Sequence, residues 1–272
     1  MSFILKGTDE FDLAEINEHF SPFTKGEDKL PECTVRFFDR PKDLLNGRTR
    51  FKKAGGHSFY ILEEGVMVAN ATSFALLRKN FREMDVYIPK KGKYPNRQLA
   101  FLMLQAYRYA LCNFGHFQMH ATVVTINGEA VAFCGLSGAG KSTQAHLWEE
   151  HLKAQALNLD QPVILFEDDK VLASGSPWSG KEDCYKTDVA PLKAIFFIEQ
   201  AKENSVSKIS KAEGFSLLYL NNFLVPTSDD IEEKHKIAVE KLVLNVPIYR
   251  LRCDISKEAV MTAYNAVFDT DK

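Results

Sequence analysis

Apolar residues recur at helical spacing through residues 96–114. Leu99, Leu102, Met103, Ala106, Tyr107, Ala110 and Leu111 fall on one stripe, which predicts a helix ended by Gly115. Beyond it the pattern changes to short apolar runs. Residues 119–126 and 129–134 are two of them, and Asn127-Gly128 between them is a strong two-residue hairpin signal. The second of these strands is therefore expected to pair antiparallel with the first. Residues 143–152 then read as a helix, and 162–167 as a further buried strand that ends in Asp168-Asp169-Lys170-Val171. A Pro/Gly/Ser loop over 175–182 is expected to expose Trp178 and Lys181. Strands at 189–198 and 246–252 and helices at 212–220, 231–244 and 258–268 complete this half.

The first 95 residues are less regular. A short helix is expected over 11–20, a strand over 31–39 ended by Pro41, and another strand over 84–89. Runs at 58–63 and 66–69 about Glu64-Gly65 suggest a hairpin. Lys90-Lys91-Gly92-Lys93 reads as a solvated turn. This part shows no chemistry motif; a substrate or assembly module and a plain structural lobe both fit it. The expected organisation is a strand-rich region over 1–95 and an α/β domain with a mixed sheet over 96–272.

Composition narrows the functional classes. Hydrophobic residues make up 45% of the 272 and charged residues 26%, ordinary values for a chain with a sizeable core. The formal net charge of −2 argues against nucleic acid or an anionic membrane as the main partner. The five cysteines form no C-x-x-C pair, so free thiols in a reducing compartment are expected. The N-terminus lacks a signal-peptide pattern and no apolar run reaches membrane-span length, which together predict a soluble cytoplasmic protein.

Chemistry enters with Gly135-Leu136-Ser137-Gly138-Ala139-Gly140-Lys141-Ser142-Thr143. The run fits G-x-x-x-x-G-K-[ST] at every fixed position and sits between an expected strand and an expected helix. Such a loop wraps a phosphate chain with backbone N–H groups, and the helix dipole points at the same charge. Lys141 would reach the outer phosphates, and the Ser142 hydroxyl would ligate Mg²⁺. Asp168 and Asp169, at the end of the expected 162–167 strand, are candidates for the metal and for a general base. His120 would touch a phosphate or orient an aspartate, or serve as a hydrogen-bonded core histidine. Lys181, Arg250 and Arg252 are candidate cations or simply solvated. Trp178 either stacks on a substrate or packs in the core.

Taken together, His120-Ala-Thr-Val-Val, the glycine loop, Glu167-Asp-Asp-Lys-Val171, Gly175-Ser-Pro-Trp-Ser-Gly-Lys181 and 191–200 resemble the HPr kinase/phosphorylase group, related to ATP-dependent phosphoenolpyruvate carboxykinases. The resemblance covers roughly 115–260. It implies a P-loop kinase-like fold with a mixed sheet. It further implies ATP and Mg²⁺ as cofactors, Lys141 on the β/γ-phosphates and Ser142 on the metal. One of Asp168 and Asp169 would hold metal and the other act as base toward a serine-type hydroxyl. His120 matches the family's active-site histidine, with Ala121 where HPr kinases proper carry glycine. The Pro-Gly-Arg-Asn type run that couples kinase and phosphorylase activities in those enzymes is absent, and the N-terminal part matches no family domain. Family analogy points to a homo-oligomer. The expected activity is transfer of the γ-phosphate to a hydroxyl of a protein, peptide or small molecule. A non-catalytic nucleotide-binding regulator and a carboxykinase-like enzyme are the alternatives.

Overall fold

The computed structural model describes residues 2–6, 14–23, 32–37, 52–54, 57–70, 72–79, 82–89, 95–180, 182, 184, 186–222, 224 and 228–269. It divides into two compact units, Met1–Asn113 with Leu224–Glu232, and Phe114–Phe223 with Glu233–Lys272. The expected Lys90–Lys93 turn and the candidate cation Lys181 lie outside the described residues.

Among the described residues, the first unit is a mixed seven-stranded sheet with two α-helices of its own. In chain order it has β1 (Ser2–Lys6), α1 (Ala14–Phe20), β2 (Glu32–Phe37), β3 (Lys52–Ala54), β4 (His57–Leu62), β5 (Gly65–Ala69), β6 (Phe74–Arg78), β7 (Glu83–Tyr87) and α2 (Pro95–Asn113). The spatial order is β1-β2-β7-β6-β5-β4-β3. The β4–β5 hairpin turns one residue earlier than expected. Gly65 opens β5 opposite Leu62, where a Cβ would stand 2.0 Å from the Leu77 carbonyl oxygen. β5 and β6 are almost wholly buried. Arg36 and Arg78 both pair with Asp85, a carboxylate otherwise buried in β7.

The second unit is an α/β sandwich around a nine-stranded mixed sheet. It contains β8 (Phe117–Gln118), β9 (Thr122–Ile126), β10 (Glu129–Cys134), α3 (Lys141–Leu152), β11 (Gln155–Asn158), β12 (Val163–Glu167), β13 (Lys170–Ser174) and β14 (Val189–Gln200). After these come β15 (Ser205–Lys208), α4 (Lys211–Leu220), α5 (Asp229–Asn245, mostly in this unit), β16 (Ile248–Cys253) and α6 (Lys257–Phe268). The main path runs β11-β9-β10-β14-β13-β12-β8, and β16 with β15 adds to β14. β9 and β10 form the expected antiparallel hairpin. Asn127 and Gly128 take φ 55° and 79°, the paired positive angles of a tight hairpin turn.

Alternation along β10 shows how this sheet is covered. Ala130, Ala132 and Cys134 face a cluster with Leu218 of α4 and Val239, Leu242 and Val243 of α5. Val131 and Phe133 face the other, with Ala145 and Trp148 of α3 and Val260 and Ala263 of α6. A strand buried on both faces reads as a continuous apolar run, as 129–134 does. Phe133 stacks on Phe196 at 5.9 Å and meets the edge of Trp148 at 5.5 Å.

Strand direction positions the site. β10, β14 and β16 are mutually parallel, and β11, antiparallel to β9, runs the same way. Their carboxyl ends therefore lie along one edge of the sheet, the edge where open α/β sheets gather ligand-binding groups.

Candidate functional site: the glycine loop and the carboxyl edge of the sheet

The loop leaves β10 at Cys134 and enters α3 at Lys141. Gly140 is the residue before the helix and has φ 105°, a backbone setting that a side chain would strain. It offers no side-chain cap, so the first-turn N–H groups of α3 keep their capacity for an outside acceptor. Gln200 Nε2, at the end of β14, donates to the Gly138 carbonyl at 3.0 Å and tethers the loop's midpoint.

Lys141 folds back under this loop. Its Nζ donates to the carbonyls of Gly135 at 2.9 Å and Leu136 at 3.2 Å. Burial lowers the pKa of this ammonium, opposed by the neighbouring Cys134 and Asp160. Burial likewise pushes the Cys134 thiol up to about 12, so it stays protonated beneath the lysine.

A cavity of about 450 Å³ opens beside the loop, and Ser137, Gly138, Gly140, Lys141, Ser142 and Thr143 line it together with His120 and Asp160. Ala139 and Gly135 lie outside this lining; Ala139 lines a second cavity on the other flank. His120 precedes β9, where its backbone exchanges hydrogen bonds with Asn221. Its Nε2 lies 3.5 Å from Asp160 Oδ1.

Asp168 and Asp169 do not line this cavity. β12 and β13 pair antiparallel with Glu167 opposite Lys170, which makes the two aspartates the tip of a tight hairpin. Both are exposed, Asp168 at φ 49°, and neither lines a cavity beside the loop. The acid that shares the cavity with Lys141 is Asp160. It follows β11, a four-residue strand whose burial comes from pairing with β9, so its own sequence barely marks it. The signal available was position: Gln155–Asn158 is the first strand after α3, and Asp160 follows its carboxyl end.

Asn158 builds the wall around Asp160. It is fully buried, and its Oδ1 accepts from the N–H groups of Asp160 at 3.0 Å and Gln161 at 2.7 Å. Its Nδ2 donates to the carbonyls of Ser176 and Trp178 and to Ser176 Oγ. Ser176 Oγ in turn donates to the Gln161 carbonyl at 2.7 Å. The 175–180 segment is thereby locked onto the Asp160 turn. Gly180, at φ 81°, comes so close that a Cβ there would lie 2.9 Å from the Asp160 Cβ. Trp178 is buried, contrary to the expectation of exposure, because this network pulls the segment inward. At its far end Glu182 reaches His146 of α3 at 3.2 Å and also lines the cavity. Arg250 is occupied by Glu199 and Glu213, and neither Arg250 nor Arg252 lines the cavity.

The arrangement offers an ammonium, uncapped helix N–H groups, a hydroxyl and a carboxylate in contact with an imidazole, all facing one space. Among the described residues no group of three or more His, Cys, Asp or Glu side chains converges as a metal cage. Mg²⁺ does not need one, since it is ordinarily held by one or two carboxylates together with substrate phosphates and water. The all-oxygen pair Ser142 and Asp160 on one cavity fits that requirement. Among the described residues no helix is long and apolar enough to cross a membrane.

No protein-family model matches this chain, and no curated protein matches it. Among solved structures, the Hpr(Ser) kinase/phosphatase from Coxiella burnetii is similar over 56% of this chain and 88% of its own, with a TM-score of 0.35 and 10% sequence identity. A likeness at that level bears on neither family membership nor reaction.

Proposed function

We propose that the second unit is an ATP- and Mg²⁺-dependent phosphotransferase acting on a hydroxyl group. The observation that carries the reading is the convergence of Lys141, Ser142, His120 and Asp160 on one cavity at the N-terminus of α3. Phosphoryl transfer needs mainly positioning and charge stabilisation, and these are the groups that supply both.

In this reading the loop N–H groups hold the phosphate chain, and Lys141 exchanges its two carbonyl partners for outer phosphate oxygens. Bound Mg²⁺, held by Ser142 and Asp160 with the phosphates, would neutralise charge that develops on the transferred group. The acceptor hydroxyl enters beside Asp160, whose carboxylate takes its proton as the oxygen attacks the γ-phosphate; the bond from that phosphorus to the bridging oxygen of the β-phosphate breaks, and ADP leaves. His120 orients that carboxylate. The base and metal roles that the sequence resemblance assigned to Asp168 and Asp169 thus pass to Asp160. The acceptor is a serine-type hydroxyl of a protein, peptide or small molecule.

The test is transfer of labelled γ-phosphate from ATP into a cell extract, with and without Mg²⁺. A labelled product formed only with Mg²⁺ is expected. Tight nucleotide binding with no labelled product would replace this reading with a nucleotide-sensing regulator.

A further inference from the structure

One wall of the Lys141 cavity is carried by a single segment. Ser179, Gly180 and Glu182 all line the cavity, on the side where Gly180 closes against Asp160. The backbone here is fixed from within. Buried Ser179 donates its hydroxyl to the Glu182 carbonyl and accepts from the Cys184 N–H at 3.1 Å. The Glu182 side chain is half-exposed and reaches His146 of α3.

His146 stands between two carboxylates. Its Nδ1 lies 3.1 Å from Glu149 Oε2, one turn further along α3, and its Nε2 lies 3.2 Å from Glu182 Oε2. An ionised carboxylate only accepts, so both bonds exist together only when both ring nitrogens carry protons. A neutral imidazole keeps one N–H and turns a lone pair to the other carboxylate. Glu149 is anchored, since its Oε1 accepts from the Ala156 N–H of β11 at 3.1 Å. Glu182 is therefore the partner that a neutral ring releases. Among the described residues, Glu149 and Glu182 are the charged groups that act on this ring, and Lys186 acts on the neighbouring Cys184 thiol instead. The Glu149 hydrogen bond raises the imidazole's pKa, burial opposes it, and the Glu182 bond with both negative charges adds to the rise.

We propose that protonated His146 is a positioning residue, a clasp that holds Glu182 and the Asp160 side of the cavity wall against α3. Its consequence for activity rests on the phosphotransfer reading above, in which the acceptor hydroxyl enters on that side. The clasp is complete below the ring's titration midpoint and is lost as pH rises through it. The His146 side chain is half-exposed, so exchanging it leaves the core untouched.

The clasp is tested first by NMR. Isotope-labelled wild type, Glu182→Gln and His146→Gln are titrated with pH, the last to identify the His146 signal. The wild-type midpoint is expected above the ordinary histidine value of about 6.5, and Glu182→Gln is expected to lower it toward that value. The Gly180 amide of the wild type is expected to shift with the same midpoint. A midpoint at or below about 6.5, one unmoved by Glu182→Gln, or a Gly180 amide that does not follow it would overturn the clasp. Its consequence is read from labelled phosphate transfer into a cell extract over the same pH series, with His146→Arg beside wild type. Arginine keeps its charge throughout and can face both carboxylates. The wild-type rate is expected to fall by about threefold to fivefold relative to the arginine variant as pH passes the His146 midpoint, the worth of one exposed charged contact. Other titrating groups, His120 among them, act on both proteins alike and cancel in this ratio. A ratio flat across pH would overturn the positioning role. No transfer by either protein would strike the phosphotransfer reading, while the NMR titration would still decide the clasp.

Discussion

His120 Nε2 and Asp160 Oδ1 stand 3.5 Å apart at the carboxyl edge of the sheet, each brought there by a strand flanking the glycine loop's own neighbours. One residue precedes β9 and the other follows β11, and these strands pair antiparallel, so the entry of one meets the exit of the other. The contact places a carboxylate and an imidazole together on the cavity that Lys141 lines, and in the proposed reading this carboxylate takes the acceptor's proton.

A prediction separates Asp160 from the aspartates of the hairpin tip. Asp160→Asn is expected to lower phosphate transfer by about 10²–10⁴-fold, the usual worth of a general base. Asp168→Asn and Asp169→Asn, on an exposed turn, are expected to stay within about twofold of wild type, since surface changes away from structural features rarely matter. Rates with labelled ATP on all three variants decide it. A large loss confined to the turn variants would return the chemistry to Asp168 and Asp169.

Asn158 is expected to be a structural keystone of the same wall. Asn158→Ala removes the partners of the Asp160 and Gln161 N–H groups and of the Ser176 and Trp178 carbonyls. The expected destabilisation is about 2–3 kcal/mol, the cost of leaving buried polar groups unsatisfied. Urea unfolding followed by tryptophan fluorescence measures it in the second unit alone. Both tryptophans of the chain, Trp148 and Trp178, lie in that unit.

Acid sensitivity should trace partly to His235. This side chain is 1% exposed, edge-on to Phe117 at 5.5 Å, and burial pushes its pKa down to about 4. The unfolded chain binds the proton near pH 6.5, so the unfolded state takes up more protons as pH falls. Stability is therefore intact above about pH 6.5 and lost progressively toward pH 4, by up to about 3 kcal/mol from this group. His235→Leu should flatten the fall over that window in denaturant titrations at a series of pH values. An unchanged slope would show that other groups carry it.

The elements with strong local signals were legible from sequence. Asn127-Gly128 announced its hairpin because both positions need positive φ, and the 129–134 run announced a strand buried on both faces. The helix expected from 96 begins at Pro95 and ends before Gly115, which has φ 76°. What stayed hidden depends on partners distant in the chain. β11 is short and acquires its burial from β9, so the single acid beyond it looked unremarkable. Asp168-Asp169 drew attention as a carboxylate pair, but the β12–β13 register turns it into a hairpin tip. Trp178 sat among Pro, Gly and Ser residues that usually mark solvated loops, and Asn158 draws it into the core through the backbone on either side. β6 was legible but not read: Phe74–Arg78 is a short apolar run that follows a turn in which Asn70 Oδ1 accepts from the N–H groups of Thr72 and Ser73.

The most direct test of the central claim is Mg²⁺-dependent ATP binding and γ-phosphate transfer in wild type and Lys141→Ala. The account predicts that the wild type binds and transfers, whereas the variant keeps its fold by circular dichroism but loses transfer. Full transfer by folded Lys141→Ala would contradict it.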